Sequence, residues 1–230
     1  MIRNTAMMAL VLATALGACS SSSETATGPG TMVLATGKSL VGRLWDGGTP
    51  PEKATDLEIA AAALAKSETP MMLANLDDGP TFLISRTDRN GPISTYLSSS
   101  YQSASFEQGL LHATRGFGRD MMSAQANALL PAILRASAEP VTGTHVFRYL
   151  DGESVEQELR LTCTVRNAGP QQLALLGQSV PTTQMVEHCD MGDNTYVENL
   201  YWVTSGRILS ARQWVAPGAP HLVTRVLRFE

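Results

Sequence analysis

The chain has 230 residues, of which 43% are hydrophobic and 17% charged, and its formal net charge is −4 at pH 7. This length and composition allow one domain with a sizeable core, or at most two small ones, and exclude a disordered chain. The acidic balance provides no basic field to gather nucleic acid or to hold the chain on anionic lipid by charge alone.

The first residues have the pattern of an export signal. A positive start at Arg3 leads into an apolar run over residues 6–16, and small residues follow it. Eleven helical residues cover about 17 Å, whereas the hydrocarbon of a bilayer is roughly 30 Å thick. The run is therefore too short for a stable membrane span and predicts a signal peptide.

The end of this signal, Leu16-Gly17-Ala18-Cys19, resembles the bacterial lipobox. The resemblance implies that residues 1–18 are a lipoprotein signal peptide cleaved before Cys19. The Cys19 sulfur would then carry a diacylglycerol and the new amino group an acyl chain, and two or more chains hold a protein stably on a membrane. The alternative is an ordinary signal peptide that happens to contain a cysteine.

Residues 19–31 combine the lipidated cysteine with a polar, Ser-rich stretch that predicts a flexible tether. A tether of this length has a root-mean-square reach of about 20 Å. Ser20, in place of Asp after the acylated cysteine, is typical of lipoproteins passed to the outer membrane of Gram-negative bacteria. We therefore expect an outer-membrane, lipid-anchored protein with residues 32–230 forming a single β-rich domain that faces the periplasm.

The first half of that domain reads as strands with two helical stretches. A strand or loop start is expected at 33–45, and a capping box at Thr55 to Glu58 predicts an amphipathic helix over 56–66. Strands are predicted at 81–85 and 93–97, joined by a turn at Asn90-Gly91, and at 106–114. A second helix is possible over 120–136, although Pro131 should break or restart it.

The C-terminal part carries the clearest alternation of apolar and polar residues. Residues 155–165 alternate over their whole length, which predicts a strand with one face in water, and Asp151-Gly152 joins it to a strand at 145–150. Further strands are predicted at 173–176, 183–189, 196–204, 207–215 and 222–229. The fold class is therefore mainly β, an antiparallel meander curled into a barrel-like or sandwich-like domain with one or two short helices.

Two cysteines remain after Cys19 is committed to lipid. Exported thiols are oxidised, so Cys163 and Cys189 predict a disulfide, worth roughly 3.5 kcal/mol in the chain-entropy estimate. His188, Asp190 and Asp193 near Cys189 prompt a metal site as a competing interpretation. Adjacent ligands on a strand point to opposite faces, which disfavours that site. Free buried thiols are the third possibility.

Several cationic and aromatic residues are candidate ligand or partner contacts. Arg115 can grip an anion or sugar acid, and alternatively it pairs with Asp120 or caps a turn containing two glycines. Near the C-terminus the candidates are Trp202, Arg207, Arg212 and Trp214, although large aromatics more often fill cores. Tyr201 and Trp202 should face opposite sides of their strand.

Nothing in the sequence forms a recognisable catalytic signature. The four histidines are scattered, and there is no nucleophile elbow, zinc-protease motif or phosphate loop. We therefore expect no enzyme activity, no cofactor and no metal.

Several segments together resemble one known family. They are the lipobox, GLLHATRGFGRDMM at 109–122, and an ending that runs through NLYWV at 199–203, GRI at 206–208, Ser210, RQW at 212–214 and Pro217. In this order and spacing they are similar to the YjbF/GfcB family of capsule and exopolysaccharide lipoproteins, across essentially the whole mature chain. The Cys163 and Cys189 pair is not part of that pattern.

The resemblance implies a barrel-like domain, an outer-membrane lipid anchor, and a setting concerned with exopolysaccharide secretion. We therefore expect a non-enzymatic lipoprotein that assists assembly or secretion of exopolysaccharide or capsule by binding the polymer or another export protein in the periplasm. The alternatives are a polysaccharide-modifying hydrolase, which should hold paired carboxylates in a cleft, and a structural lipoprotein of envelope maintenance.

Overall fold

The computed structural model describes residues 54–77, 79–192 and 194–229. The strand or loop start expected at 33–45, the signal peptide, Cys19 and the tether lie outside the described residues. Two helices are present, α1 (Ala54–Lys66) and α2 (Leu129–Leu134). The strands are β1 (Met71–Leu76), β2 (Phe82–Asn90), β3 (Ile93–Ser98), β4 (Ser103–Glu107), β5 (Leu110–Arg115), β6 (Met121–Gln125), β7 (Val141–Leu150), β8 (Glu156–Leu175), β9 (Gln178–Gly192), β10 (Thr195–Thr204), β11 (Arg207–Gln213) and β12 (Leu222–Arg228).

All these strands pair antiparallel in one sheet, in the order β5-β4-β3-β2-β1-β12-β11-β10-β9-β8-β7-β6. The sheet is a meander in two halves, which the pairing of β1 with β12 joins. Its two edges also approach each other: His112 Nδ1 of β5 lies 2.9 Å from the Ala124 carbonyl oxygen of β6, and the Met121 backbone N–H donates to Thr114 Oγ1 at 2.9 Å. The sheet is thus nearly closed into a barrel, and the predicted fold class is confirmed.

The main hydrophobic core lies inside the curled sheet. Every one of the twelve strands contributes buried side chains to it, as the period of two in a half-buried strand requires. Helix α2 adds Leu129, Leu130 and Ile133 to the same core. Neither described helix has the length and hydrophobicity needed to cross a membrane.

Two smaller clusters cover the outer face of the sheet. The first forms where the β8–β9 hairpin lies over β10 and β11, and it contains Leu173, Val186, Leu200, Trp202 and Leu209. A bulge between Asn167 and Gly169 interrupts the register of this hairpin. Because Tyr201 is buried in the inner core and Trp202 in this outer cluster, the two aromatics face opposite ways, as predicted.

Helix α1 forms the second outer cluster, with Ala60 against Met71, Leu73 and Leu227 of β1 and β12. The predicted helix is confirmed, but its capping box is not. The helix begins at Ala54, so Thr55 lies within it and is not an N-cap. Asp56 instead faces the sheet and lies 3.5 Å from Arg225 Nη1, with both side chains buried.

Two predicted elements are wrong. The single strand expected at 106–114 is two strands, β4 and β5, because Gln108 and Gly109 both adopt positive φ and reverse the chain. The second helix expected over 120–136 is mostly not helical. Its first part is β6, and only α2 remains, with Pro131 in its first turn, where a missing N–H costs nothing. Strand β1 was not predicted.

The strongest alternating pattern led to the correct element. Residues 155–165 lie largely in β8, which pairs with β7 through the predicted Asp151-Gly152 hairpin and with β9 on its other side. Within the β8–β9 ladder Cys163 faces Cys189 directly, and the two form a disulfide with their Cα atoms 3.9 Å apart. The predicted disulfide is therefore confirmed.

Candidate functional site

Arg115 closes the turn between the two sheet edges. Its guanidinium donates to the carbonyl oxygens of Thr114 and Met121. Asp120, one of the alternative partners for Arg115, instead accepts backbone N–H groups from Gly116 at 2.8 Å and from Phe117 at 3.1 Å. The interactions of Arg115 are thus with the backbone of the turn, while much of its side chain stays exposed.

The two tryptophans of the candidate set are covered by protein. Trp202 is 1% exposed beneath the β8–β9 hairpin, and Trp214 is 8% exposed in the inner core. Trp214 packs edge-to-face on Phe147, and its backbone N–H donates to Asn199 Oδ1 at 2.7 Å. Neither indole face is open to stack on a sugar in this structure.

Arg212 is also buried and belongs to an internal ion pair. Its Nε and Nη2 lie 3.0 and 2.8 Å from Asp77 Oδ1. The other oxygen of Asp77 accepts the backbone N–H of His221 at 3.0 Å. Burial lowers the pKa of His221 to about 4, the charge of Arg212 acts in the same direction, and the Asp77 carboxylate opposes both. This network ties β12 and β11 to the end of β1.

A second polar network lies inside the barrel next to the disulfide. Glu187 is fully buried, and its carboxylate contacts three side chains: His145 Nδ1 at 2.7 Å, Asn199 Nδ2 at 2.8 Å and the Tyr201 hydroxyl at 2.7 Å. A carboxylate only accepts, so His145 Nδ1 carries a proton and donates a hydrogen bond to Glu187. His145 Nε2 is buried without a hydrogen-bond partner among the described residues.

The ionised form of Glu187 is favoured despite its burial. Burial raises the pKa of Glu187, but the charge on His145 and the three hydrogen bonds outweigh it, and the pKa lies below its usual value. Burial and the neighbouring carboxylate raise the pKa of Tyr201 well above its usual value. Glu187, His145, Asn199 and Tyr201 therefore form a fixed internal network that is closed to large substrates.

The metal site considered at Cys189 does not assemble from the residues that suggested it. His188 and Asp190 are exposed while Cys189 is buried, as neighbours on a strand must be. Asp193 lies outside the described residues. A different group, His145, Glu187 and the two cysteines, has its potential ligand atoms within 4.8 Å of one another. The sulfurs of Cys163 and Cys189 are joined in the disulfide, so neither can act as a thiolate ligand.

An open cavity of about 440 Å³ lies at one end of the barrel, and we call it the mouth cavity. Because the strands alternate in direction, the ends of β2, β4 and β12 meet the starts of β3, β5 and β11 there. Its volume falls in the range of about 300–1,000 Å³ that is usual for small-molecule sites. The residues that give it its chemistry are Arg89, Tyr96, Phe106, Arg207, Arg228 and Phe229.

The mouth cavity contains only one of the five sequence candidates, Arg207. Its guanidinium lies over the ring of Phe229, 4.9 Å from the centroid, in a cation–π contact. Arg89 and Arg228 were not singled out from the sequence. Arg228 lies near Arg207 because β12 pairs with β11, whereas Arg89 reaches them because β1 joins β2 to β12. Among the described residues no carboxylate lines the cavity.

The floor of the mouth cavity is held in place from across the barrel. Gln213 of β11 accepts the Leu111 backbone N–H at 2.8 Å and donates to the Gly109 carbonyl oxygen at 3.1 Å. Tyr96 and Phe106 pack edge-to-face beside it, with ring centroids 5.8 Å apart. The cavity is therefore preformed.

Fold and cavity together define an all-β, barrel-like domain with a ligand-sized opening at one end. The sequence assigns this domain to a family: the chain belongs to the group 4 capsule polysaccharide lipoproteins, gfcB and YjbF, which it matches over residues 33–227. The resemblance seen in the sequence is thereby confirmed. The name of the family refers to capsule polysaccharide and to no catalysed reaction.

A solved structure has the same fold. The crystal structure of the hypothetical lipoprotein YmcC from Escherichia coli K12 is similar with a TM-score of 0.60, covering 78% of this chain and 98% of that chain. The two sequences are 16% identical, so the likeness is one of fold. No curated protein sequence matches the chain.

Proposed function

We propose that this protein is an outer-membrane lipoprotein that assists assembly or secretion of a capsule or exopolysaccharide, and that it acts by binding the polymer or a partner protein in the periplasm. The observation that carries the proposal is membership of the capsule polysaccharide lipoprotein family over residues 33–227. The match covers nearly the whole of the domain, so the proposal concerns this chain's main body and not an accessory segment.

The anchor in this proposal is Cys19. The small residues before it and the serines after it favour lipidation and a flexible link to the domain. Ser20 favours passage to the outer membrane. In this arrangement the lipid keeps the domain at the membrane surface, where secreted polymer passes.

Binding without chemical conversion is supported by where the reactive side chains lie. The Glu187 carboxylate and the His145 ring are buried inside the barrel, out of reach of a polymer chain. The mouth cavity is open, yet the described residues place no carboxylate in its lining. Glycoside hydrolysis commonly needs two carboxyl groups flanking the bond, and this cavity offers the polymer arginines and aromatic rings instead.

The test is deletion of the gene in its native host, followed by quantification of cell-bound and secreted polysaccharide. We expect surface polymer to fall, the wild-type gene to restore it, and a Cys19→Ala variant to fail while accumulating as a soluble periplasmic protein. Unchanged polymer after deletion would refute the proposal. Unchanged polymer with increased detergent sensitivity would point to envelope maintenance instead.

A further inference from the structure

The mouth cavity concentrates positive charge in a protein that is acidic as a whole. The sequence has 21 acidic residues and 17 basic ones. Three of the arginines nevertheless line this cavity, and none of the described acidic residues does so. A cavity with low-dielectric walls and one sign of charge attracts ligands of the opposite sign. The positive charge of the cavity therefore indicates an anionic ligand.

The three arginines are not equivalent. Arg228 is tied to helix α1, where it donates to the carbonyl oxygens of Ser67 and Leu64 and lies 3.0 Å from Glu68 Oε2. Arg89 Nε donates to the Gly91 carbonyl oxygen at 3.1 Å, which anchors its side chain at the rim. These two arginines add positive charge, but their positions are set by the protein.

Arg207 is the arginine best placed to bind a ligand. It begins β11, is exposed, and has no carboxylate partner among the described residues. Its guanidinium carbon lies 4.9 Å from the centroid of the Phe229 ring, and this contact positions the cation at the rim. A guanidinium presents its N–H donors as a planar fork that fits a carboxylate in a bidentate pair.

The remaining walls are apolar and aromatic. Tyr96, Phe106, Ile208 and Val226 form its buried interior side. Pro92 and Phe229 present exposed apolar surface at the rim. Flat apolar surfaces suit the C–H faces of a pyranose ring, whereas the long acyl chains of a lipid would need a deeper and more continuous apolar channel. The combination of a fork-shaped cation at the rim and ring-sized apolar walls therefore favours an anionic sugar over a lipid headgroup.

We propose that the mouth cavity binds a carboxylate-bearing sugar unit of an acidic polysaccharide, with Arg207 holding the carboxylate. This inference rests on the proposed function and specifies the ligand class for it. The sugar ring lies against the exposed apolar surface of Pro92 and Phe229, and Arg89 supports the charge from the opposite rim.

The test compares ligands that differ only in charge. Tetrasaccharides of galacturonate and of mannuronate are titrated calorimetrically into the full mature lipoprotein in detergent micelles, alongside their methyl esters, which keep the ring and remove the charge. We expect at least one acid form to bind about tenfold or more tightly than its ester, and its affinity to fall as salt screens the pair.

The variants assign the binding to the cavity. Arg207→Ala should weaken acid binding by about tenfold or more, and Arg207→Lys should recover only part of it because an ammonium lacks the fork. Arg160→Ala is the matched control: Arg160 is exposed, pairs with Glu158 and does not line the cavity. It should leave binding unchanged. Thermal unfolding of each variant confirms that the fold is retained.

The inference is overturned if neither acid binds, if esters bind as well as acids, if Arg207→Ala keeps full affinity, or if vesicles of anionic phosphatidylglycerol displace the bound acid. Complementation separates it from the proposed function. Should deletion abolish surface polymer while Arg207→Ala restores it fully, the ligand assignment fails and the role in export stands. Should deletion leave polymer unchanged, the role in export fails whatever the titration shows.

Discussion

Glu187 shows how a charge is accommodated inside this barrel. A buried carboxylate is tolerated when its oxygens are supplied with donors, and here His145, Asn199 and Tyr201 supply them. The substitution Glu187→Ala removes the carboxylate acceptor and leaves the three buried donor groups without a hydrogen-bond partner. We expect the free energy of unfolding to fall by about 3–5 kcal/mol, measured by urea denaturation followed by tryptophan fluorescence.

Two further variants keep this prediction decisive. Glu187→Gln retains one acceptor oxygen but sets an NH₂ group against the donors, so it should be destabilised less than Glu187→Ala and still fold. Glu158→Ala removes an exposed carboxylate that pairs with Arg148 and Arg160. Water replaces those contacts, and stability should hardly change. Equal small losses in all three variants would contradict a structural role for the internal network.

His221 makes the stability of the protein depend on pH. Its folded pKa of about 4 lies below the ordinary histidine value of 6.5, chiefly because of burial. Between these values the unfolded chain binds the proton more readily than the folded one. The stabilisation is thus complete above about pH 6.5 and is lost as the pH falls towards 4, by about 2 kcal/mol between about pH 7 and pH 5.

The measurement is urea denaturation at both pH values for the wild type and for His221→Gln. The glutamine can still reach the Glu198 carbonyl oxygen, which His221 Nε2 approaches at 3.2 Å, but it does not titrate. We expect the wild type to lose about 2 kcal/mol more than the variant on acidification. Parallel losses in the two proteins would show that other groups cause the acid sensitivity.

The turn between β4 and β5 depends on a glycine for two separate reasons. Gly109 has a φ of +94°, and a Cβ built on it would lie 2.9 Å from the Cβ of Ile208. That atom is attached directly to the backbone of β11 and cannot swing aside. Gly91 is a matched control, since its φ is +57° but a Cβ there would meet nothing within 4 Å.

Both alanine variants carry the cost of a left-handed residue, but only Gly109→Ala adds an overlap. We therefore expect Gly109→Ala to lower the free energy of unfolding by about 1–3 kcal/mol more than Gly91→Ala. Thermal and urea unfolding of the two variants measure the difference. Equal losses would mean that the approach of β5 to β11 is looser than the structure indicates.

A strand with one wet face gives a clear sequence signal, although the largely buried β11 and β12 are also predicted from the sequence. β8 alternates between buried and exposed positions, and this contrast identified it. β1 has four consecutive buried residues, because the core lies on one side and α1 on the other, so the alternation is absent. β6 is a different case: it has only five residues, MMSAQ, and so short a segment fits a strand or a helix equally well.

The candidate site was harder to predict than the fold. Arg207 is a candidate ligand contact because it lies near aromatic residues in the sequence. The same proximity of arginine and tryptophan makes Trp202, Arg212 and Trp214 candidates. The structure buries those three. Arg228 lies opposite Arg207 in the β11–β12 hairpin, so its position follows from the spacing of two predicted strands. Arg89 carries no such local signal, since it joins them only through the pairing of β1 with β2 and β12.

At the scale of the whole molecule, the proposed location depends on a few residues near the N-terminus, Cys19 and Ser20. A net charge of −4 opposes attraction to anionic lipid. In the proposed anchoring, attachment depends on the chains at Cys19, each buried CH₂ contributing about 0.8 kcal/mol. The same proposal assigns the choice of membrane to Ser20, the residue that follows the acylated cysteine.

Ser20→Asp isolates this sorting step. Aspartate at this position is expected to retain the lipoprotein in the inner membrane, while lipidation and folding proceed as before. Separation of the two membranes on a sucrose gradient should show the wild type in the outer-membrane fraction and Ser20→Asp in the inner. Ser21→Asp adds the same charge one residue later and serves as the control, with no expected change. If Ser20→Asp still reached the outer membrane, sorting would depend on some other part of the chain.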